Sequence, residues 1–185
     1  MGEEVDLDRH CLVLALLDQV YRVGLRPGSP LMTEPWPRSA DQLLAIARNE
    51  WLDDLREMAW LFDECAGREG LAGQPTVLNP TFEGSGDMSG ADADLIVGDC
   101  LIEIKSTIQL KLRDPVLLQL LGYVLLDYFD EYCIRSVGLY LARQGLLLRW
   151  SLAQLIGSAA EIHSLRALRE RFRALLRSPL TVLVR

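Results

Sequence analysis

Residues 90–107, GADADLIVGDCLIEIKST, hold two short apolar runs separated by Gly98-Asp99. Runs 95–97 and 100–104 are β-prone, and a Gly-Asp pair between such runs closes a tight turn, so the stretch predicts a β-hairpin. Asp94 starts the first strand. Glu103 and Lys105 sit near the end of the second, two residues apart and therefore on one face. Folding the hairpin brings Asp94 near Glu103. Their neighbours Leu95, Val97, Ile102 and Ile104 are apolar, so ionised groups here are costly unless a metal, a partner charge or water compensates them. Two acids with a lysine beside them make a candidate divalent-metal site.

Downstream, residues 114–132 (DPVLLQLLGYVLLDYFDEY) predict a helix with Asp114 as N-cap and Pro115 at its first position. Gln119 and Tyr123 within it lie one turn apart and share a face. The spacing D-x8-E-x-K resembles the active-site signature of the PD-(D/E)xK nuclease superfamily. The Q-x3-Y spacing after the lysine strand resembles the mark of its RecB-like branch, which includes phage-type exonucleases. Gly90, Asp94, Glu103, Lys105, Gln119 and Tyr123 occur in that order, and the resemblance covers residues 76–150. Asp92 is the alternative first acid, but Asp94 falls at the family position.

The resemblance implies a restriction-endonuclease-like core and metal-assisted phosphodiester hydrolysis. Asp94, Glu103 and the backbone carbonyl of Ile104 would hold Mg2+ or Mn2+, hard cations that prefer oxygen ligands. Lys105 would orient or activate water and offset transition-state charge. Gln119 and Tyr123 would position phosphate or support the metal shell, and Ser106 and Thr107 would donate hydrogen bonds to phosphate. Relatives often add an acid from the helix before the sheet, where Glu50, Asp54 and Glu57 stand. The family's preference for Glu favours Glu50, whereas Asp54 falls within the apolar arc of the helical projection.

A chain of 185 residues, half of them apolar, is long enough for one domain with a sizeable core. No apolar run approaches a bilayer span, and the acidic start MGEEVDLD lacks the basic opening of a secretory signal. Cys11, Cys65, Cys100 and Cys133 show no paired spacing. Reduced cytoplasmic thiols and no membrane partner are therefore expected. Serine-nucleophile, dinucleotide-binding and P-loop motifs are missing.

The net charge of −7 works against a nucleic-acid partner. Its distribution softens that. Acids dominate the first 65 residues, Lys111 and Arg113 follow the lysine strand within reach of a phosphate, and Arg166, Arg169, Arg171, Arg173 and Arg177 crowd the last helix. Those arginines offer either a phosphate-binding face or a merely solvated one.

Coarse periodicity completes the picture. Helices are expected at 6–23, from Ser39 to about Ala66, and from Ser151 to about Leu176; strands at 76–82, 135–141 and 146–150. This order predicts an α/β fold, a central mixed β-sheet flanked by helices. An N-terminal helical segment (1–75) would pack on the nuclease-like core (76–185) in a single globular domain. The function so expected is metal-dependent hydrolysis of nucleic acid, most readily DNA, in a prokaryotic defence or repair assembly. A homo-oligomer or protein partner would supply affinity. The alternative is a catalytically idle nuclease-fold subunit that binds or scaffolds.

Overall fold

The computed structural model describes residues 2–32, 36–37, 39–108, 114–156 and 161–178. The chain divides into two compact units, Met1–Trp60 and Leu61–Arg185. The division falls within a helix, so the second unit takes up the end of that helix.

The first unit contains α1 (Gly2–Val23), α2 (Ala40–Leu44) and most of α3 (Asn49–Arg68). α1 ends at Gly24, whose φ of +77° suits glycine and whose N–H donates to Val20 O at 2.8 Å. The long helix expected from Ser39 is broken in two. Ser39 Oγ does accept the Gln42 N–H at 3.2 Å, but only the five residues of α2 follow. A helix end releases carbonyls that need donors. Arg9 supplies them: Nη1 donates to Ala47 O at 2.6 Å, and Nη2 reaches Asn49 Oδ1 at 3.0 Å. A second tie, Arg56 to Asp8 at 2.7 Å, joins α3 to α1.

The second unit is α/β. Strands β1 (Thr76–Leu78), β2 (Leu95–Val97), β3 (Cys100–Lys105), β4 (Ser136–Leu141) and β5 (Leu146–Ser151) form one mixed sheet in sequence order. β3 and β4 are parallel, with α4 (Asp114–Leu126) in the connection between them; the other neighbours are antiparallel. The hairpin is as expected, with Leu95 opposite Ile102 and Val97 opposite Cys100 across the Gly98-Asp99 turn. After β5 come α5 (Leu152–Ile156) and α6 (Glu161–Arg177), where one helix was expected; residues 157–160 of that expected helix lie outside the described set.

Two elements are shorter than expected. β1 stops at Leu78, where Asn79 takes a φ of +47° ahead of Pro80; beyond it the Asn79 N–H donates to Asp94 O at 2.9 Å and an isolated bridge pairs Thr81 with Asp92. α4 stops at Leu126 rather than Tyr132. There the Asp127 carboxylate accepts the Glu131 N–H at 2.8 Å and the Tyr132 N–H at 3.4 Å, holding a turn instead of another helical repeat.

Strand alternation divides the sheet into two faces. On one, Ile96, Leu101 and Val137 bury against Leu120 and Val124 of α4 and Leu165 of α6. On the other, a Cβ at Gly138 would stand 2.9 Å from Leu147 Cδ1, and the Tyr140 ring meets Phe62 of α3 edge-on at 5.1 Å. None of the four cysteines is in a disulfide. No helix among the described residues is long and apolar enough to cross a membrane.

Candidate functional site

Glu103 shares its sheet face with Leu101, and hence with α4, by strand alternation. It is 5% exposed, an unusual place for a carboxylate. The next step of the β2–β3 register places Asp94 opposite it, on the same face. Asp94 is half-buried, and its Oδ2 accepts the Ile104 N–H at 2.6 Å. Ile104, expected to lend a carbonyl, is thus held at the site through its amide.

Two donors meet at Glu103, and a third polar group joins through one of them. Lys105 Nζ donates to Glu103 Oε1 at 2.5 Å. From α4, Gln119 Nε2 donates to the same oxygen at 3.1 Å and to Tyr123 Oη at 2.7 Å. One amide nitrogen carries two hydrogens, so Gln119 bridges the strand carboxylate and the helix phenol with one each. The helical spacing of Gln119 and Tyr123 is what lets the bridge form. The Phe82 ring stacks beside Tyr123, 5.8 Å between centroids, and closes the apolar side.

Burial pushes the Glu103 carboxyl above its ordinary range, and the nearby Asp94 charge adds to that; the Lys105 and Gln119 hydrogen bonds oppose it. Burial likewise raises the Tyr123 phenol. Although Oε1 takes two donors, Glu103 Oε2 is buried with no hydrogen-bond partner. An orphaned buried carboxylate oxygen costs free energy unless something electropositive meets it.

That vacancy in hydrogen bonding, next to a second carboxylate, fits a hard divalent cation. Mg2+ commonly takes one or two carboxylates and keeps several waters, whereas a closed cage needs more protein ligands. Among the described residues no group of three or more His, Cys, Asp or Glu side chains stands together, so the donor set is of the open kind. Asp94 and Glu103 are the residues that would hold it. Glu50 and Asp54, the expected third acids, lie on α3 in the first unit, Glu50 exposed and Asp54 half-buried; Glu57 is exposed.

The loop before the site is shaped by Ser85, whose Oγ accepts the Phe82 N–H at 2.9 Å and donates to Ala91 O. Gly90 follows at a φ of +101°, where a side chain would be strained. After β3, Ser106 and Thr107 are exposed. Arg143 Nε donates to Ser106 O at 3.0 Å, and Gln144 Nε2 to Thr107 O at 3.4 Å. Lys111 and Arg113 lie outside the described residues.

The arginines of α6 correct the expectation of one uniform face. Arg169 is 4% exposed: it donates to Val124 O at 3.0 Å and pairs with Asp127 at 3.4 Å and Asp130 at 2.9 Å. Arg173 lies over the Tyr128 ring at 5.2 Å, and Arg177 pairs with Asp87 at 2.9 Å. Arg166 pairs with Glu170 on the exposed side. A signal for Arg169 was present in the sequence. It falls on the stripe of Leu165, Phe172 and Leu176, at spacings of four, three and seven, so the helical period alone places it on the buried face.

No protein-family model, no curated protein and no solved structure matches the chain.

Proposed function

We propose that the chain is a divalent-metal-dependent nuclease of the PD-(D/E)xK type and the RecB-like branch, with a restriction-endonuclease-like core, acting on nucleic acid and most readily on DNA. The observation that carries this reading is Glu103: a buried carboxylate with one orphaned oxygen, opposite Asp94 and clamped by Lys105 and Gln119.

Mg2+ or Mn2+ held by Asp94 and Glu103 would supply charge for a phosphoryl oxygen and a more acidic water. The Ile104 N–H fixes the Asp94 carboxylate in place. Gln119 holds Glu103 Oε1, leaving the buried, unpaired Oε2 as the oxygen that would face the ion. Lys105, about one-third exposed, is the cation able to turn from Glu103 to a phosphate or to the attacking water. Ser106 and Thr107, exposed after the strand end, would donate to the substrate backbone. With net charge −7, substrate affinity would draw on the metal, local cations, and a second copy or a protein partner. A cytoplasmic setting fits the cysteine usage.

The decisive test is cleavage of linear, circular and single-stranded DNA and of RNA, with Mg2+, with Mn2+ and with chelator. Metal-dependent products lost in Asp94→Ala and Glu103→Gln support the reading. A second reading, an idle subunit that binds or scaffolds, is favoured by the two-carboxylate donor set and the Lys105–Glu103 contact. It would be supported by no cleavage of any substrate in either metal.

A further inference from the structure

A second cleft lies beyond the C-terminal end of α4, between the turn that follows it, the start of α5 and the face of α6. Its volume is about 650 Å3, within the usual range for small-ligand sites. It shares no lining residue with the Asp94–Glu103 site. Among the described residues its walls carry four arginines, Arg135, Arg166, Arg169 and Arg173, against two acids, Asp130 and Glu170. A positive excess is notable in a chain of net charge −7.

The arginines differ in availability. Arg169 is locked by its bonds to Val124 O, Asp127 and Asp130, and fixes the wall. Arg135 and Arg166 sit in exposed pairs, with Asp130 at 3.3 Å and Glu170 at 3.2 Å. Exposed pairs of this kind hold weakly, and a guanidinium exchanges such a partner readily for a phosphate it can grip with two N–H groups. The floor is apolar, from Leu152, Ala153 and Leu165. At the mouth stands Phe129, 68% exposed, with the Arg173 guanidinium 5.8 Å from its centroid. A large aromatic ring left in water beside cationic planes is the arrangement on which a flat ring stacks.

We infer that this cleft binds a nucleoside phosphate, with the base on Phe129 and the phosphate on Arg135 and Arg166. The ligand's chemistry is a planar heterocycle joined to a phosphate monoester, and it has two sources: a free mononucleotide or the terminal residue of a strand.

The test is isothermal titration of the intact chain, in chelator, with dAMP, deoxyadenosine, inorganic phosphate and a 5′-phosphorylated dA octamer. Binding of dAMP at one site is expected, with deoxyadenosine and phosphate each about tenfold weaker or worse. Phe129→Ala and Arg135→Ala, both exposed side chains, should each weaken dAMP about tenfold without moving the thermal unfolding midpoint. An octamer that binds as tightly as dAMP identifies the strand end as the source; an octamer that fails identifies the free nucleotide, and either result supports the site. Unsaturable dAMP titration, phosphate binding as tight as dAMP, or wild-type affinity in both variants overturns it. Because the titration is run without divalent metal and reads no cleavage, its outcome is separable from that of the nuclease assay.

Discussion

Gln119 Nε2 stands 3.1 Å from Glu103 Oε1, so the helix that crosses from β3 to β4 reaches back to the one buried carboxylate of the strand it left. The sequence separation is 16 residues, and the contact exists only because α4 lays the Gln119 face on the sheet. Glu103 is thereby oriented from two sides, by Lys105 along the strand and by Gln119 across the layer.

Removing that support should weaken the site without destroying the fold. Gln119→Ala is expected to lower metal-dependent cleavage about 10- to 100-fold, as loss of a ligand's hydrogen-bonding partner commonly does. Tyr123→Phe keeps the ring on Phe82 and removes only the Oη contact, so a smaller loss is expected. Turnover at matched Mg2+ concentrations checks both. Full activity in Gln119→Ala would mean that the Glu103 orientation does not depend on α4.

Mg2+ should raise the thermal unfolding midpoint of the wild-type chain in a saturable way. A cation bound only by the folded state contributes about 2.7 kcal/mol at a hundredfold excess over its Kd. Asp94→Ala and Glu103→Gln should each abolish the shift. Scanning calorimetry against Mg2+ concentration reads this directly, and an equal shift in all three proteins would place the cation elsewhere.

Glu103 also makes a prediction for pH. Its folded carboxyl is raised above the ordinary value, chiefly by burial, so the native chain holds that proton more tightly than the unfolded chain. The stability it contributes is present in acid, below the unfolded value, and is lost as pH rises through the folded value. Without divalent metal, Glu103→Gln should therefore melt above wild type near neutrality, the gap closing toward acid pH. The raised Asp127 is common to both proteins and does not affect the difference. Melting curves that stay parallel across the range would contradict the assignment.

Arg169 and Arg166 should behave oppositely although they lie one turn apart. Arg169→Ala leaves Asp127 buried without its cation and should cost about 3–5 kcal/mol in urea unfolding. Arg166→Ala, in an exposed pair, should change stability little. Similar costs for the two would mean that the buried network around Asp127 is not a stability element.

The hairpin was legible in the sequence because its causes are local: two β-prone runs, a Gly-Asp turn, and a two-residue alternation that put Asp94, Glu103 and Lys105 on one face. The pairing of Gln119 with Tyr123 was equally local, a matter of one helical turn. The order of helices and strands followed from periodicity, and with it the mixed sheet. What the sequence could not settle depends on partners far along the chain. Arg9 donates to the Ala47 carbonyl from 38 residues away, at the break in the helix expected to run from Ser39. The helical period puts Arg169 on the buried face of its helix, but its partners there, the Val124 carbonyl 45 residues away and Asp127, come only from packing. Asp127 ends α4 early by accepting the N–H groups of a turn that periodicity reads as helix. The amino-acid order thus determined which residues could share a face. Only the tertiary structure decided which faces met, because burial, orphaned oxygens and clefts arise when elements pack, and packing energy has no signature within a single element.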